Sequence, residues 1–149
     1  MTGNSAATGT LVDWNAFSGA RAELGANFVR ILGYFREDGV KSVSAIEAAM
    51  RAQNAAAMVI PAHTLKGESR QFGAERLALA AEFIEDVARD CVENRDCPDE
   101  ALEQVAQLRP LFQATLELLE REASPLAERR PAAGFGRRAM PMPVPFGRG

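Results

Sequence analysis

The stretch Ala62-His63-Thr64-Leu65-Lys66-Gly67-Glu68-Ser69-Arg70-Gln71-Phe72-Gly73-Ala74 decides how the chain is read, and it holds the only histidine of 149 residues. On a helical wheel of about 100° per residue, Leu65 and Phe72 point one way, with Met58 and Ala62 to one side. His63, Lys66, Gly67 and Arg70 gather on the opposite face, with Val59 nearby. The pattern therefore predicts a half-buried helix that shows its histidine to water. A lone exposed histidine is ordinarily just a solvated polar side chain. Two neighbours set this one apart. Gly67 costs a helix interior about 1 kcal/mol relative to alanine, and on an exposed face it serves no internal packing. What it does leave is a shallow spot beside the imidazole where another molecule can approach closely. Lys66, one turn away, puts a mobile ammonium where it can meet negative charge carried by the ring. An imidazole titrates near 6.5, so a useful fraction is neutral and nucleophilic at neutral pH.

Outward from this segment, apolar residues recur at steps of three and four. A first helix is expected over residues 11–24, with Asp13 as its N-cap. Leu24, Phe28, Ile31, Leu32 and Phe35 make the stripe of a second helix, and Asp38-Gly39 reads as its stop. A third helix is expected over 42–53, with Val43, Ile46, Ala49 and Met50 inward. The histidine helix follows Asn54 and runs to Phe72, with Gly73 as terminator; Pro61 either kinks it or marks where its regular part begins. A fifth helix over 75–93 turns Leu77, Ala80, Ala81, Ile84 and Val87 or Ala88 inward. After a turn at 94–97, Pro98 opens a last helix with the stripe Leu102, Val105, Leu108, Phe112, Leu116 and Leu119, bent at Pro110. Amphipathic helices joined by short links imply an all-α, antiparallel helical bundle.

Composition limits the alternatives. Nearly half the residues are apolar and a quarter charged, as in a soluble globular domain. Residues 124–149 carry five Arg and one Glu, a local charge of +4, so the chain's net −3 leaves −7 on residues 1–123. An acidic body argues against nucleic-acid binding, which needs clustered Lys and Arg. Cys91 and Cys97 with a single histidine fall short of the about four ligands a zinc site takes, so no metal site is expected. The longest uncharged apolar stretch, 55–62, is far short of the about 20 residues that span a bilayer. No signal peptide is visible, and a cytoplasmic protein without membrane contact is expected. The organisation read from the sequence is a flexible N-terminus at 1–10, a helical bundle at 11–123, and a Pro/Gly/Arg-rich tail at 124–149 that is extended or disordered in isolation. That tail is either a solvated terminus or a basic arm, with Phe135, Met140, Met142 and Phe146 as apolar grip.

The 62–74 segment resembles the signature of histidine-phosphotransfer domains of bacterial multistep phosphorelays, approximately A-H-x-L-K-G-x-[SA]-x-x-[LF]-G. The likeness continues through Leu77, Ala81, Ile84 and Glu85, and upstream through 28–35, and covers about residues 11–120. The resemblance implies a four-helix bundle with an added N-terminal helix. It implies that His63 takes a phosphoryl group from a receiver-domain aspartate and passes it to another receiver. Lys66 would then neutralise phosphoryl charge, and Gly67 would let the partner come close. Val59, Arg70, Glu85 and Arg89 would line the docking surface. Partners would be receiver domains of response regulators and hybrid histidine kinases. No cofactor of the chain's own is implied, the Mg²⁺ being the receiver's. Neither a P-loop nor a Gly-rich nucleotide loop is present, so phosphorylation from ATP is not expected. Glu68 departs from the pattern, standing where a small residue is common. An alternative from another class is a helical adaptor that binds receivers or kinases without carrying phosphate.

Overall fold

A computed structural model describes residues 11–123. The expectations for residues 1–10 and 124–149 lie outside the described residues. Among the described residues the helices and turns follow one another as α1 (Trp14–Leu24), a short 3-10 turn at Gly25–Asn27, α2 (Phe28–Arg51), α3 (Ala55–Gln71), α4 (Glu75–Asn94), a second 3-10 turn at Pro98–Ala101, and α5 (Leu102–Ala123). Among the described residues there is no strand. Helices α2 to α5 make the four-helix bundle and α1 is the added N-terminal helix, the all-α architecture the sequence implied. By backbone packing the chain divides into a unit ending at Glu117 and a second beginning at Leu118; of the latter, the described part is the end of α5.

Local chemistry sets the helix ends. Asp13 caps α1, its side chain accepting from the amides of Asn15 and Ala16. Asn54 caps α3 by accepting from Ala57 N at 3.1 Å. Gly73 ends α3 with φ +75°, and a Cβ there would come 2.6 Å from the Asp13 carbonyl oxygen. Glycine is thus needed both for the left-handed turn and for the close approach. That approach is used, because Asp13 N donates to Gly73 O at 2.7 Å and ties the start of α1 to the end of α3.

The core is a run of aromatic rings. Phe17 of α1 meets Phe28 of α2 at 5.3 Å between centroids, Phe28 meets Phe72 at 5.6 Å, Phe72 meets Phe35 at 5.4 Å, and Phe35 meets Phe112 of α5 at 5.7 Å. These spacings suit the edge-to-face contacts that aromatic pairs prefer. Val43, Ile46, Met58, Ala62, Leu65, Leu77 and Ile84 are fully buried around them.

Two expectations from the sequence are corrected. Asp38-Gly39 is not a stop, and the second and third expected helices are one, Phe28–Arg51. Gly39 is buried inside α2 because the Phe112 ring lies where its Cβ would be. A glycine that reads as a terminator is here a packing notch. On α5, Leu102 is 55 % exposed and Leu116 only half-buried. The inward stripe of α5 is instead Val105, Leu108, Phe112, Thr115 and Leu119, continuing from Ala101 of the preceding turn. Thr115 is accommodated because its hydroxyl donates to Leu111 O at 2.7 Å, satisfying the buried group within the helix. Pro61 does not mark where the regular part of α3 begins, because the helix starts at Ala55 and runs through it.

Candidate functional site

Helix α3 carries the site. Its Met58, Ala62 and Leu65 are wholly buried, which leaves the other face outward. His63 lies on that outer face with its side chain 58 % exposed. Gly67 is exposed, and nothing lies within 4 Å of a Cβ built on it, so the space above it is open. Arg70, half-exposed, pairs with Glu82 of α4 at 3.3 Å. Val59, one turn before His63, lines a groove of about 570 Å³ between α3 and α4 together with Ala56, Ile60, Arg89 and Val92. Ile60 and Val92 are exposed apolar side chains there, at 67 % and 48 %.

The centre of the site is Glu85 on α4. The expectation that it lines the outer docking surface is corrected: its side chain is 4 % exposed and lies beneath the histidine. Glu85 sits four residues after Ala81 and three before Ala88, both buried, so helical geometry turns it inward. His63 Nδ1 is 2.9 Å from its Oε2. Arg89 donates to the same oxygen from Nε at 2.8 Å, with a second guanidinium nitrogen at 2.7 Å. Lys66 Nζ stands 2.8 Å from Oε1, a pairing carried by charge rather than by a well-aligned hydrogen bond. Lys66 is correspondingly drawn in, with its side chain only 18 % exposed. Burial pushes the Glu85 carboxyl up, but bonding to Lys66, Arg89 and His63 and the charge of Lys66 outweigh it and hold the group at about 2. An ionised carboxylate can only accept, so Nδ1 must be the donor. His63 Nε2 is then the nitrogen with the free lone pair, on an outward-facing ring.

The structure thus brings together His63, Lys66, Glu85 and Arg89 in one bonded cluster, with Gly67 and Val59 flanking it on the outer face of α3. Arg70 belongs to a separate pair. The buried position of Glu85 had a signal in the sequence. A glutamate inside the apolar stripe of α4 must have partners, and the cations that meet it are Arg89 one turn along α4 and Lys66 of α3. Among the described residues no group of three or more His, Cys, Asp or Glu side chains could hold a metal ion. No helix of the described residues is long and apolar enough to cross a membrane.

Comparison with known proteins places the chain in a family: the Hpt domain model matches residues 30–123, and the chain belongs to that family of histidine-phosphotransfer domains. Among solved structures, the chain is similar to histidine-containing phosphotransfer protein B (HptB) from Pseudomonas aeruginosa PAO1, with a TM-score of 0.66 and 24% sequence identity over 75% of this chain and 93% of that one. At this identity the likeness concerns the fold. No curated protein matches the chain.

Proposed function

We propose that His63 is the phosphoryl carrier of a cytoplasmic phosphorelay, taking the group from an aspartyl phosphate on one receiver domain and giving it to the aspartate of another. The observation that carries this reading is the His63–Glu85 bond, which fixes Nδ1 as the protonated nitrogen and leaves Nε2 with its lone pair toward solvent. Nε2 attacks phosphorus in line, the P–O bond to the donor aspartate breaks, and that aspartate leaves as a carboxylate. The ring, still protonated at Nδ1, gains positive charge as the N–P bond forms, and the Glu85 carboxylate beneath it stabilises that charge. Transfer to the second receiver runs the same path in reverse, with an aspartate oxygen attacking phosphorus and Nε2 leaving.

Phosphoryl transfer asks a protein mainly for position and charge neutralisation. Here Lys66 and Arg89 supply two cations next to the ring, both anchored by Glu85. Any Mg²⁺ belongs to the receiver's own carboxylates. The groove at Val59, Ile60 and Val92 offers the partner apolar contact, and the absence of a side chain at Gly67 lets its active site close on Nε2. The test is incubation of the full chain with phosphorylated receiver domains. The expected product is an acid-labile, base-stable phosphate on His63, absent from His63→Gln. Labelling retained in that variant sinks the reading, and binding without labelling of the wild type would favour the adaptor.

A further inference from the structure

Glu85 is met by more positive charge than one carboxylate calls for. Lys66 reaches it from α3 and Arg89 from α4, so with a neutral imidazole the cluster carries one positive charge in excess. The two cations are held differently. Arg89 brings Nε to 2.8 Å and a second guanidinium nitrogen to 2.7 Å of Oε2, the same oxygen that His63 Nδ1 meets at 2.9 Å. Its planar fork cannot turn away without disturbing the oxygen that holds the ring. Lys66 stands instead at the other oxygen, Oε1, at 2.8 Å and without a well-aligned hydrogen bond. Its ammonium is a point charge on a flexible four-carbon stem. It lies one turn after His63 on the same helix, within reach of a group carried by the ring. The open space above Gly67, the next residue, leaves it room to turn outward.

We propose that Arg89 is a positioning residue that acts through Glu85, holding the carboxylate against His63 Nδ1 so that Lys66 is free to leave Oε1 for the phosphoryl group. The inference rests on the reading of His63 as a phosphoryl carrier. The group arriving on Nε2 brings about two negative charges, and these draw the looser of the two cations. Lys66 crosses from Oε1 to a phosphoryl oxygen, and the excess positive charge of the cluster becomes the counter-charge of the phosphoryl group. Oε1 loses only charge attraction in that exchange, because it had no hydrogen bond to lose. Nothing bonded to Oε2 changes. The ring keeps its proton on Nδ1 and the carboxylate beneath it keeps its charge while Nε2 gains, and later gives up, phosphorus. Without Arg89, departure of Lys66 would strand Glu85 as a buried anion with only the ring as partner, and each transfer would work against that penalty.

The test compares Arg89→Ala and Lys66→Ala, each alone and combined with Glu85→Gln, in the full chain. Nitrogen chemical shifts of His63 are read first, without phosphate. Lys66→Ala should keep the Nδ1-protonated form, and Arg89→Ala should show a mixture of tautomers. The second measurement is transfer from a phosphorylated receiver domain over a range of receiver concentrations. Arg89→Ala should lower the limiting rate by about tenfold and leave the half-saturating concentration within about twofold. A residue that only touched the partner from the rim of the Val59 groove would move the half-saturating concentration instead. In the Glu85→Gln background Arg89→Ala should slow transfer by no more than about twofold further, having nothing left to act through, whereas Lys66→Ala should slow it by the same factor with or without Glu85. A tautomer unchanged by Arg89→Ala, an undiminished Arg89→Ala effect in the Glu85→Gln background, or a main effect on the half-saturating concentration overturns the assignment. Absence of label on the wild type would sink the carrier reading itself, and the tautomer comparison would still decide whether Arg89 holds the ring through Glu85.

Discussion

A carboxylate beneath an imidazole orients it and selects its tautomer at once, and Glu85 does both while gathering Lys66 and Arg89. Removing it should be felt in three ways. In Glu85→Ala the nitrogen chemical shifts of His63 should show a mixture of tautomers in place of the Nδ1-protonated form, and phosphoacceptance should slow by about tenfold or more, as expected when a reacting group loses its positioning. Stability should fall by about 2–3 kcal/mol in urea unfolding, because charged hydrogen bonds are lost and their cations stay behind. The third effect is on acid unfolding. Glu85 is lowered from 4.5 to about 2 in the folded state, so its contribution is present above about 4.5 and is lost as pH falls toward 2. A Glu85→Gln protein should lack that component, leaving a shallower acid limb than the wild type. An unaltered acid limb would show that the cluster does not contribute. His63, Lys66 and Gly67 were legible as neighbours on one face of α3 from spacing alone, though Lys66 is drawn in toward Glu85. That Glu85 lies against His63 was not, because a surface wheel of α3 carries no information about which residue of α4 lies opposite.

At the scale of the helix, two glycines in helix interiors should respond oppositely to the same substitution. Gly67 has open space where a Cβ would go. Gly67→Ala should therefore raise stability by about 1 kcal/mol through helix propensity. It should also slow phosphotransfer, by about tenfold to a hundredfold if the added methyl holds the partner about 1 Å away. Gly39 faces the Phe112 ring. Gly39→Ala should lower stability by about 1–3 kcal/mol, the usual cost of overpacking, with no direct effect on the site. Thermal melts of the pair, read beside a transfer assay, check both. This contrast explains why the break at Asp38-Gly39 was misread. Glycine as helix terminator and glycine as packing notch look identical in one dimension. Asn54 and Gly73, by contrast, were read correctly because a cap acts on backbone groups within a few residues of itself.

For the bundle as a whole, ionisation sets the working range. Glu85 weakens the folded state as pH drops below about 4.5, and Glu47, lowered by its bidentate bond to Arg109, adds to that acid side. Glu68 weakens it as pH rises from about 4.5 to 7. The expected stability maximum is near pH 5 rather than at neutrality, and a series of urea midpoints from pH 3 to 8 would locate it. The Glu47–Arg109 pair links α2 to α5 across 62 residues of sequence, yet it is partly exposed. Its removal should cost no more than about 1 kcal/mol.

The sequence by itself determined that the chain is helical, where most helices start and end, and that one face shows a histidine with a lysine and a glycine beside it. These are consequences of periodicity and capping, whose causes lie within a turn or two of each residue. Only the tertiary structure decided that α2 is unbroken at Gly39, that Glu85 is buried against His63, and that Glu68 and Asp38 line one cavity. Each of these depends on which side chain of another helix fills the space opposite, and that is fixed by the packing of the whole core.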